Sequence, residues 1–153
     1  MQRVIQIAVA EDNEADITLV REALNEAAVQ CNLHILRDGK EAIEFINSID
    51  RDSKGGPLDL ILVDMHLPKY DGEAILERLR STERHAQTPV VVMTGSDATC
   101  EREKAEKHAA LCYFRKPSNF DGFMQLGVIV SDILAGKKSM DAEVLLATGE
   151  SAS

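Results

Sequence analysis

The chain has 153 residues, with 26 acidic against 17 basic side chains and a formal net charge of −9. Its length fits one ordinary domain, and its acidity argues against an electrostatic footprint for nucleic acid. The apolar runs are too short to span a bilayer and the first residues lack an apolar signal segment, so we expect a cytoplasmic protein outside the membrane. Three cysteines without C-x-x-C spacing indicate neither a disulfide framework nor a zinc site.

Short apolar segments alternate with helix-like segments along the first 135 residues. The predicted strands cover residues 4–10, 31–36, 58–63, 90–93 and 111–114. The predicted helices cover residues 14–29, 42–49, a segment that begins after Gly72, a segment capped by Asp97 that runs to about Ala110, and 118–135. Five repeats of strand and helix predict one α/β domain over residues 1–136, with a parallel sheet and helices on both faces. The tail, residues 137–153, is expected to be flexible or to add a short interface helix.

Polar side chains follow four of the predicted strands. Glu11 and Asp12 come after the first strand and Asp64 after the third. Thr94 comes after the fourth strand and Lys116 after the fifth. The carboxyl ends of parallel strands form one edge of the sheet, and ligands of such sheets bind beyond that edge. The sequence therefore predicts a functional site there.

The residue types at this edge suit metal and phosphoryl chemistry. Carboxylates that gather at one point repel one another unless a cation compensates their charge, and Mg²⁺ prefers one or two carboxylates with carbonyl, water and phosphate oxygens. Glu11, Asp12 and Asp64 match that preference. A carboxylate can also attack phosphorus to give an aspartyl phosphate, and Asp64, at the end of the most central strand, is the candidate acceptor. Lys116 and Thr94 would contact phosphoryl oxygens through an ammonium and a hydroxyl group.

Four motifs stand in order along the chain. They are Val-Ala-Glu-Asp-Asn at residues 9–13, Val-Asp-Met-His-Leu-Pro at 63–68 followed by Asp71-Gly72, Thr94-Gly95, and Tyr-Phe-Arg-Lys-Pro at 113–117. Together they resemble the receiver domains of two-component response regulators, over about residues 4–135. The resemblance implies a flavodoxin-like (βα)5 fold with strand order 2-1-3-4-5. It also implies a phosphoacceptor that takes its phosphoryl group from a histidine kinase and is no enzyme, apart from slow self-dephosphorylation.

The same resemblance implies a role for each matching position. Asp12 and Asp64 would be direct Mg²⁺ ligands, and Glu11 would act largely through water. His66 would contribute its backbone carbonyl to the metal. Gly95, which lacks a side chain, would leave the phosphoryl group room to approach the backbone.

The resemblance further implies a switch. After phosphorylation Thr94 would move toward the phosphoryl group and Tyr113 would turn inward to fill the space. The face built by the fourth helix, fifth strand and fifth helix would then change its affinity for partners, including a second copy of the chain. Such a mechanism is a two-state equilibrium that phosphorylation biases.

Two longer stretches, residues 10–24 and 113–123, are similar to the stand-alone regulators that accompany bacterial phytochromes. This similarity implies a light-sensing histidine kinase as phosphoryl donor and homodimerisation through the last strand and helix. Two positions depart from the subgroup: His66 stands where asparagine is common, and Gly95 stands where alanine or another small residue is common. We expect an altered dephosphorylation rate, with His66 and Ser96 as the positions responsible.

Other classes of function share parts of this pattern. A phosphatase of the haloacid dehalogenase type also uses a strand-end aspartate with Mg²⁺, but its signature requires a second aspartate where this chain has His66. A flavodoxin-like cofactor binder would carry a loop rich in serine, threonine and glycine after the first strand, where this chain carries acids. A degenerate receiver that acts as a phosphorylation-independent binding or dimerisation module stays open.

The chain beyond the last predicted helix is too short for an output domain, so the output is expected to be binding to a downstream protein or to a phosphotransfer partner. Three histidines without ligand spacing are expected at the surface: His34, His85 and His108.

Overall fold

The computed structural model describes residues 3–52, 56–95 and 99–136. Five strands alternate with five helices along these residues. The strands are β1 (Ile5–Ala10), β2 (Cys31–Leu36), β3 (Leu60–Asp64), β4 (Val90–Thr94) and β5 (Cys112–Arg115). The helices are α1 (Glu14–Glu26), α2 (Gly39–Arg51), α3 (Gly72–Ser81), α4 (Thr99–Lys107) and α5 (Phe120–Leu134).

The strands form one parallel sheet in the order β2-β1-β3-β4-β5. This confirms the predicted fold class and strand order. Every residue of β3 and β4 is buried, as expected for central strands of a sheet that is covered on both faces. Among the described residues, no helix is both long and apolar enough to cross a membrane.

Two hydrophobic cores lie on opposite faces of the sheet. Because side chains alternate along a strand, Leu60 and Leu62 of β3 enter one core, and Ile61 and Val63 enter the other. The first core is covered by α1 and α5, whose Val20 and Phe123 are fully or almost fully buried. The second core is covered by residues of α2, α3 and α4: Ala42, Ile46, Ile75, Leu76, Leu79 and Ala105. The two layers of helices fix the sheet between them and expose only its edges.

Two helices end earlier than the sequence predicts. Helix α1 ends at Glu26 rather than near residue 29, because Ala28 adopts a left-handed φ of 57°. Helix α4 ends at Lys107 rather than near Ala110, because Ala109 has a φ of 59°. A left-handed residue after a helix is usually glycine, so alanine gives no stop signal in the sequence.

Further boundaries differ from the prediction. Helix α2 begins at Gly39 rather than near residue 42, because Asp38 caps it: the Asp38 side chain accepts a hydrogen bond from the Glu41 N–H at 2.7 Å. The third strand begins at residue 60 rather than 58, because the Leu58 N–H donates to Nε2 of His85 at 3.1 Å instead of pairing with a strand. The last helix begins at Phe120 rather than residue 118. The predicted cap Asp97, Ser96 and the tail 137–153 lie outside the described residues.

Candidate functional site

The polar residues predicted from the sequence lie together at the carboxyl edge of the sheet. Asp64 and Thr94 are the last residues of β3 and β4, and both are buried. Glu11 follows β1 and is fully buried, with its N–H donating to the Leu36 carbonyl at 2.9 Å. Lys116 follows β5, with its N–H donating to the Thr94 carbonyl at 2.8 Å. These main-chain bonds extend the sheet pairing by one residue and so fix where each side chain begins.

Three carboxylates meet at this edge. Glu11, Asp12 and Asp64 each offer an oxygen, and the three oxygens lie within 4.8 Å of one another. Glu11 and Asp64 are buried, whereas Asp12 is exposed. The set is therefore open to solvent on the side of Asp12, where a cation and its water ligands can enter.

A lysine compensates the charge of the cluster. Nζ of Lys116 lies 2.5 Å from Oε1 of Glu11, 2.8 Å from Oδ2 of Asp16 and 3.0 Å from Oδ2 of Asp64. Burial alone would lower the pKa of Lys116, but hydrogen bonds to Asp16 and Glu11 and the charge of Asp64 raise it above its ordinary value. Lys116 is thus a fixed positive charge whose three donors are directed at three carboxylates.

The position of Glu11 disfavours the ionised form of its carboxyl group. Burial raises its pKa to about 7, the negative charge of Asp64 acts in the same direction, and the hydrogen bond from Lys116 acts against both. Its other oxygen accepts hydrogen bonds from the N–H groups of Asp12 and Asn13 at 3.0 and 3.2 Å. Both oxygens of Glu11 are therefore held by hydrogen bonds, in a position that disfavours its ionisation.

The backbone after β3 is shaped around Asp64. The N–H of His66 donates to Oδ1 of Asp64 at 2.9 Å, which leaves Oδ2 on the side of Lys116. Gly72 is required for a close approach, because a Cβ at this position would lie 2.7 Å from Cα of Met65 and 2.9 Å from the Asp64 carbonyl oxygen. Asp71 caps the helix that follows. The Asp71-Gly72 motif thus lets α3 begin directly against the loop that follows β3.

The two residues of the predicted switch contact consecutive residues of α4. Thr94 is fully buried, and its hydroxyl donates to Oε2 of Glu101 at 3.3 Å. The ring of Tyr113 is buried, and the guanidinium carbon of Arg102 lies 5.2 Å from its centroid. Gly95 is exposed, and among the described residues no atom other than those of its chain neighbours lies within 4 Å of where a Cβ would be. The space beside Thr94 is therefore open toward solvent.

Two residues of this site were missed in the sequence. The sequence pattern assigns Asp16 only to the first helix, although it stands four positions after Asp12, in the first turn of α1. Glu101 was one charge among many in α4, and nothing in the local pattern separates it from Glu103. The side chain of His66 also contacts Oε1 of Glu101 through its Nε2, a contact that the sequence does not indicate.

One histidine contradicts the expected surface location outright. His85 is fully buried, since its Nε2 accepts the hydrogen bond from Leu58 and its own N–H donates to Oγ1 of Thr82 at 3.0 Å. Burial lowers its pKa, so the ring serves as a neutral acceptor. His108 is mostly covered as well and lies 3.2 Å from Glu73. His85 thus holds the residues that precede β3, and His108 joins the end of α4 to the first turn of α3.

A doubly wound five-stranded sheet, with an acidic triad, a threonine and a lysine at its carboxyl edge, is the architecture of receiver proteins. Comparison with family models gives the same result: the response regulator receiver domain matches residues 7–126. The chain belongs to this family.

Its relatives include regulators of several organisms. The chain is 30% identical to the probable methanogenesis regulatory protein FilR2 of Methanothrix harundinacea, over 75% of this chain and 74% of the relative. It is 31% identical to the response regulator Rcp1 of Synechocystis sp., over 78% of this chain and 82% of the relative.

Solved structures show the same likeness. The phosphorylated cyanobacterial phytochrome response regulator RcpA is 29% identical, with a TM-score of 0.76 over 87% of this chain and 95% of that chain. The Mn²⁺-bound form of Rcp1 is 32% identical, with a TM-score of 0.74 over 85% of this chain and 94% of that chain.

The raised pKa of Glu11 predicts how stability depends on pH. Because this pKa is about 7 in the folded protein and near 4.5 for a free glutamate, ionising Glu11 opposes folding. The free energy of unfolding of the metal-free protein should therefore fall by about 2 kcal/mol between pH 5 and pH 8 on account of this residue. Glu11→Gln should remove that fall. Chemical denaturation at both pH values in the presence of a chelator measures it.

Glu22→Gln, which changes an exposed glutamate of the neighbouring helix, is the matched control and should keep the wild-type dependence. A Glu11→Gln protein that loses as much stability as the wild type between the two pH values contradicts the assignment.

Proposed function

We propose that this chain is a Mg²⁺-dependent phosphoryl acceptor in signal transduction and that Asp64 is the residue phosphorylated. The observation that carries the proposal is the position of Nζ of Lys116, 3.0 Å from Oδ2 of Asp64, beside three carboxylates whose oxygens lie within 4.8 Å. This is a preorganised set of one nucleophile, one fixed cation and a group of oxygen donors. Phosphoryl transfer depends mainly on such positioning and charge compensation.

The side chains present fit a hard divalent cation. Glu11, Asp12 and Asp64 would hold it with the backbone carbonyl of His66, and water would fill the positions on the exposed side of Asp12. When bound, Mg²⁺ would supply compensation for the negative charge on the phosphoryl oxygens. The solved Mn²⁺-bound form of the relative Rcp1 supports a divalent ion in this family.

The chain's own residues divide the remaining work. An oxygen of Asp64 attacks the phosphorus of a phosphohistidine, the P–N bond breaks, and the imidazole leaves with its electron pair and takes up a proton. Lys116 contacts one phosphoryl oxygen and compensates the negative charge as that charge moves from the aspartate to the phosphoryl group. The Thr94 hydroxyl donates to another oxygen, and the open space at Gly95 leaves room for the group. The chain is a substrate of the kinase rather than an enzyme, with slow self-dephosphorylation as its only turnover.

Phosphorylation by acetyl phosphate tests this proposal without a kinase. Intact mass should rise by about 80 Da, the mass of one phosphoryl group, in the wild type with Mg²⁺ and not with a chelator. Asp64→Asn should abolish the gain, because an amide oxygen is a poor nucleophile. Asp121→Asn, which changes an exposed aspartate of α5, should behave as the wild type. No adduct in the wild type, within a trapping time suited to an acyl phosphate, would favour a degenerate receiver that acts only as a binding module.

The proposed phosphoryl donor is a histidine kinase of the phytochrome type. Similarity to Rcp1 and to the phytochrome response regulator RcpA supports this choice, and the kinase and the regulator would meet in the cytoplasm. A purified phytochrome kinase labelled on its histidine should lose label to this chain in seconds to minutes, and an unrelated histidine kinase should transfer far more slowly. Equal rates from both kinases would contradict the pathway.

The proposed output is a change in the face formed by α4, β5 and α5, including homodimerisation. Phe120 and Val128 of α5 are each about half exposed, with 53% and 45% of their surface accessible, and we expect them to lie in the contact with a second copy. Sedimentation velocity should show more dimer after phosphorylation, and Val128→Asp should reduce it. A dimer fraction that is the same with and without phosphorylation would contradict a role in the switch.

A further inference from the structure

We propose that Glu101 is a latch that holds Thr94 in the unphosphorylated conformation and competes with the phosphoryl group for the threonine hydroxyl. This inference rests on the proposed phosphorylation of Asp64 and adds a positioning residue on α4 to it. It assigns to one buried carboxylate the coupling between the acceptor site and the helix that forms part of the output face.

The surroundings of Glu101 single it out among the acids of α4. It is 4% exposed, whereas Glu103 and Glu106 of the same helix are exposed. A buried carboxylate is costly unless it is paired and hydrogen-bonded. Oε2 of Glu101 accepts a hydrogen bond from Oγ1 of Thr94, 3.3 Å away, whereas Oε1 contacts Nε2 of His66 and accepts no hydrogen bond from the described residues. Both partners belong to loops or strand ends of the phosphoryl site, so α4 is fastened to that site through one side chain.

Arg102, the residue after Glu101, extends this connection to Tyr113, the second residue of the predicted switch. Arg102 contacts the ring of Tyr113 on β5, which pairs with β4 at Val92. Consecutive residues of α4 therefore contact Thr94 and Tyr113, which lie on neighbouring strands. A change at Thr94 is transmitted first to Glu101 and then, through the rigid turn of the helix, to the residue that covers Tyr113.

The hydrogen bond from Thr94 to Glu101 excludes a hydrogen bond from the same hydroxyl to a phosphoryl oxygen. A threonine hydroxyl has one hydrogen to donate, so it cannot serve Glu101 and a phosphoryl oxygen at once. Hydrogen bonds to ionised acceptors are stronger than neutral ones, and a ligand shifts an equilibrium only by its differential affinity for the two states. Phosphorylation must therefore offset the loss of the Thr94–Glu101 bond, and the latch reduces the population ready to receive the group.

Binding of the phosphoryl analogue beryllofluoride with Mg²⁺, followed by ¹⁹F NMR, tests the latch. Glu101→Ala should bind the analogue about tenfold more tightly than the wild type, because the competing acceptor is gone. Glu101→Gln, which keeps an acceptor oxygen without charge, should show a smaller gain and carries the test if the alanine variant fails to fold. Glu103→Ala, an exposed glutamate of the same helix, is the matched control and should stay within about twofold of the wild type.

A double-mutant cycle separates the latch from a purely electrostatic role of Glu101. In the Thr94→Val background there is no hydroxyl to hold, so Glu101→Ala should change the affinity by less than about twofold. A gain of the same size in both backgrounds, or no gain in the Thr94 background, overturns the latch. If the wild type and every variant fail to bind beryllofluoride with Mg²⁺, the proposed phosphoacceptor function fails and the latch fails with it.

Discussion

The site depends on one interaction: the ammonium group of Lys116 among the carboxylates of Glu11, Asp16 and Asp64. Three carboxylates at that spacing repel one another strongly in a partly buried place. One lysine with three donors satisfies an oxygen of each. It does not neutralise the cluster completely: burial raises the pKa of Glu11, and the negative charge of Asp64 raises it further. The proposed divalent cation would compensate this residual charge.

The fold makes this arrangement possible by bringing distant residues to one edge. Glu11 and Lys116 are separated by 105 positions in the chain, yet the parallel order of β1, β3, β4 and β5 ends all four strands at the same level. The buried strands supply stiffness, since their apolar side chains pack against helices on both faces. Polar side chains are confined to the strand ends, where solvent is near. The rigid strands and the polar residues at their ends together hold Asp64 in one geometry.

The sequence was sufficient for the parts of the structure that repeat. Apolar segments at regular spacing predict the sheet, and acids, threonine and lysine at their ends predict the edge where Glu11, Asp64 and Lys116 meet. Contacts between side chains of different elements were not predictable in this way. Glu101 differs from Glu103 only in the direction it faces, which depends on how α4 is seated on the sheet. The role of Asp16 could not be predicted either, because it depends on where Lys116, its partner in the ion pair, lies in the fold.

Local backbone details were also beyond the sequence pattern. Ala28 and Ala109 end helices in a conformation that usually signals glycine. His85 is buried because its ring accepts the hydrogen bond of the Leu58 N–H, so a residue expected at the surface instead holds the start of β3. For His85 a tertiary contact outweighs the local preference. Positions that carry such contacts are the ones where a single sequence gives the least information.

The most direct test of the account is to identify the residue that receives the phosphoryl group. The protein is phosphorylated with acetyl phosphate and Mg²⁺, the acyl phosphate is reduced with borohydride, and the peptides are analysed by mass spectrometry. The account predicts that position 64 is converted from aspartate to homoserine, and that this conversion requires Mg²⁺. Conversion at Asp12 or Asp16 instead, or homoserine at position 64 formed equally well without Mg²⁺, would contradict it.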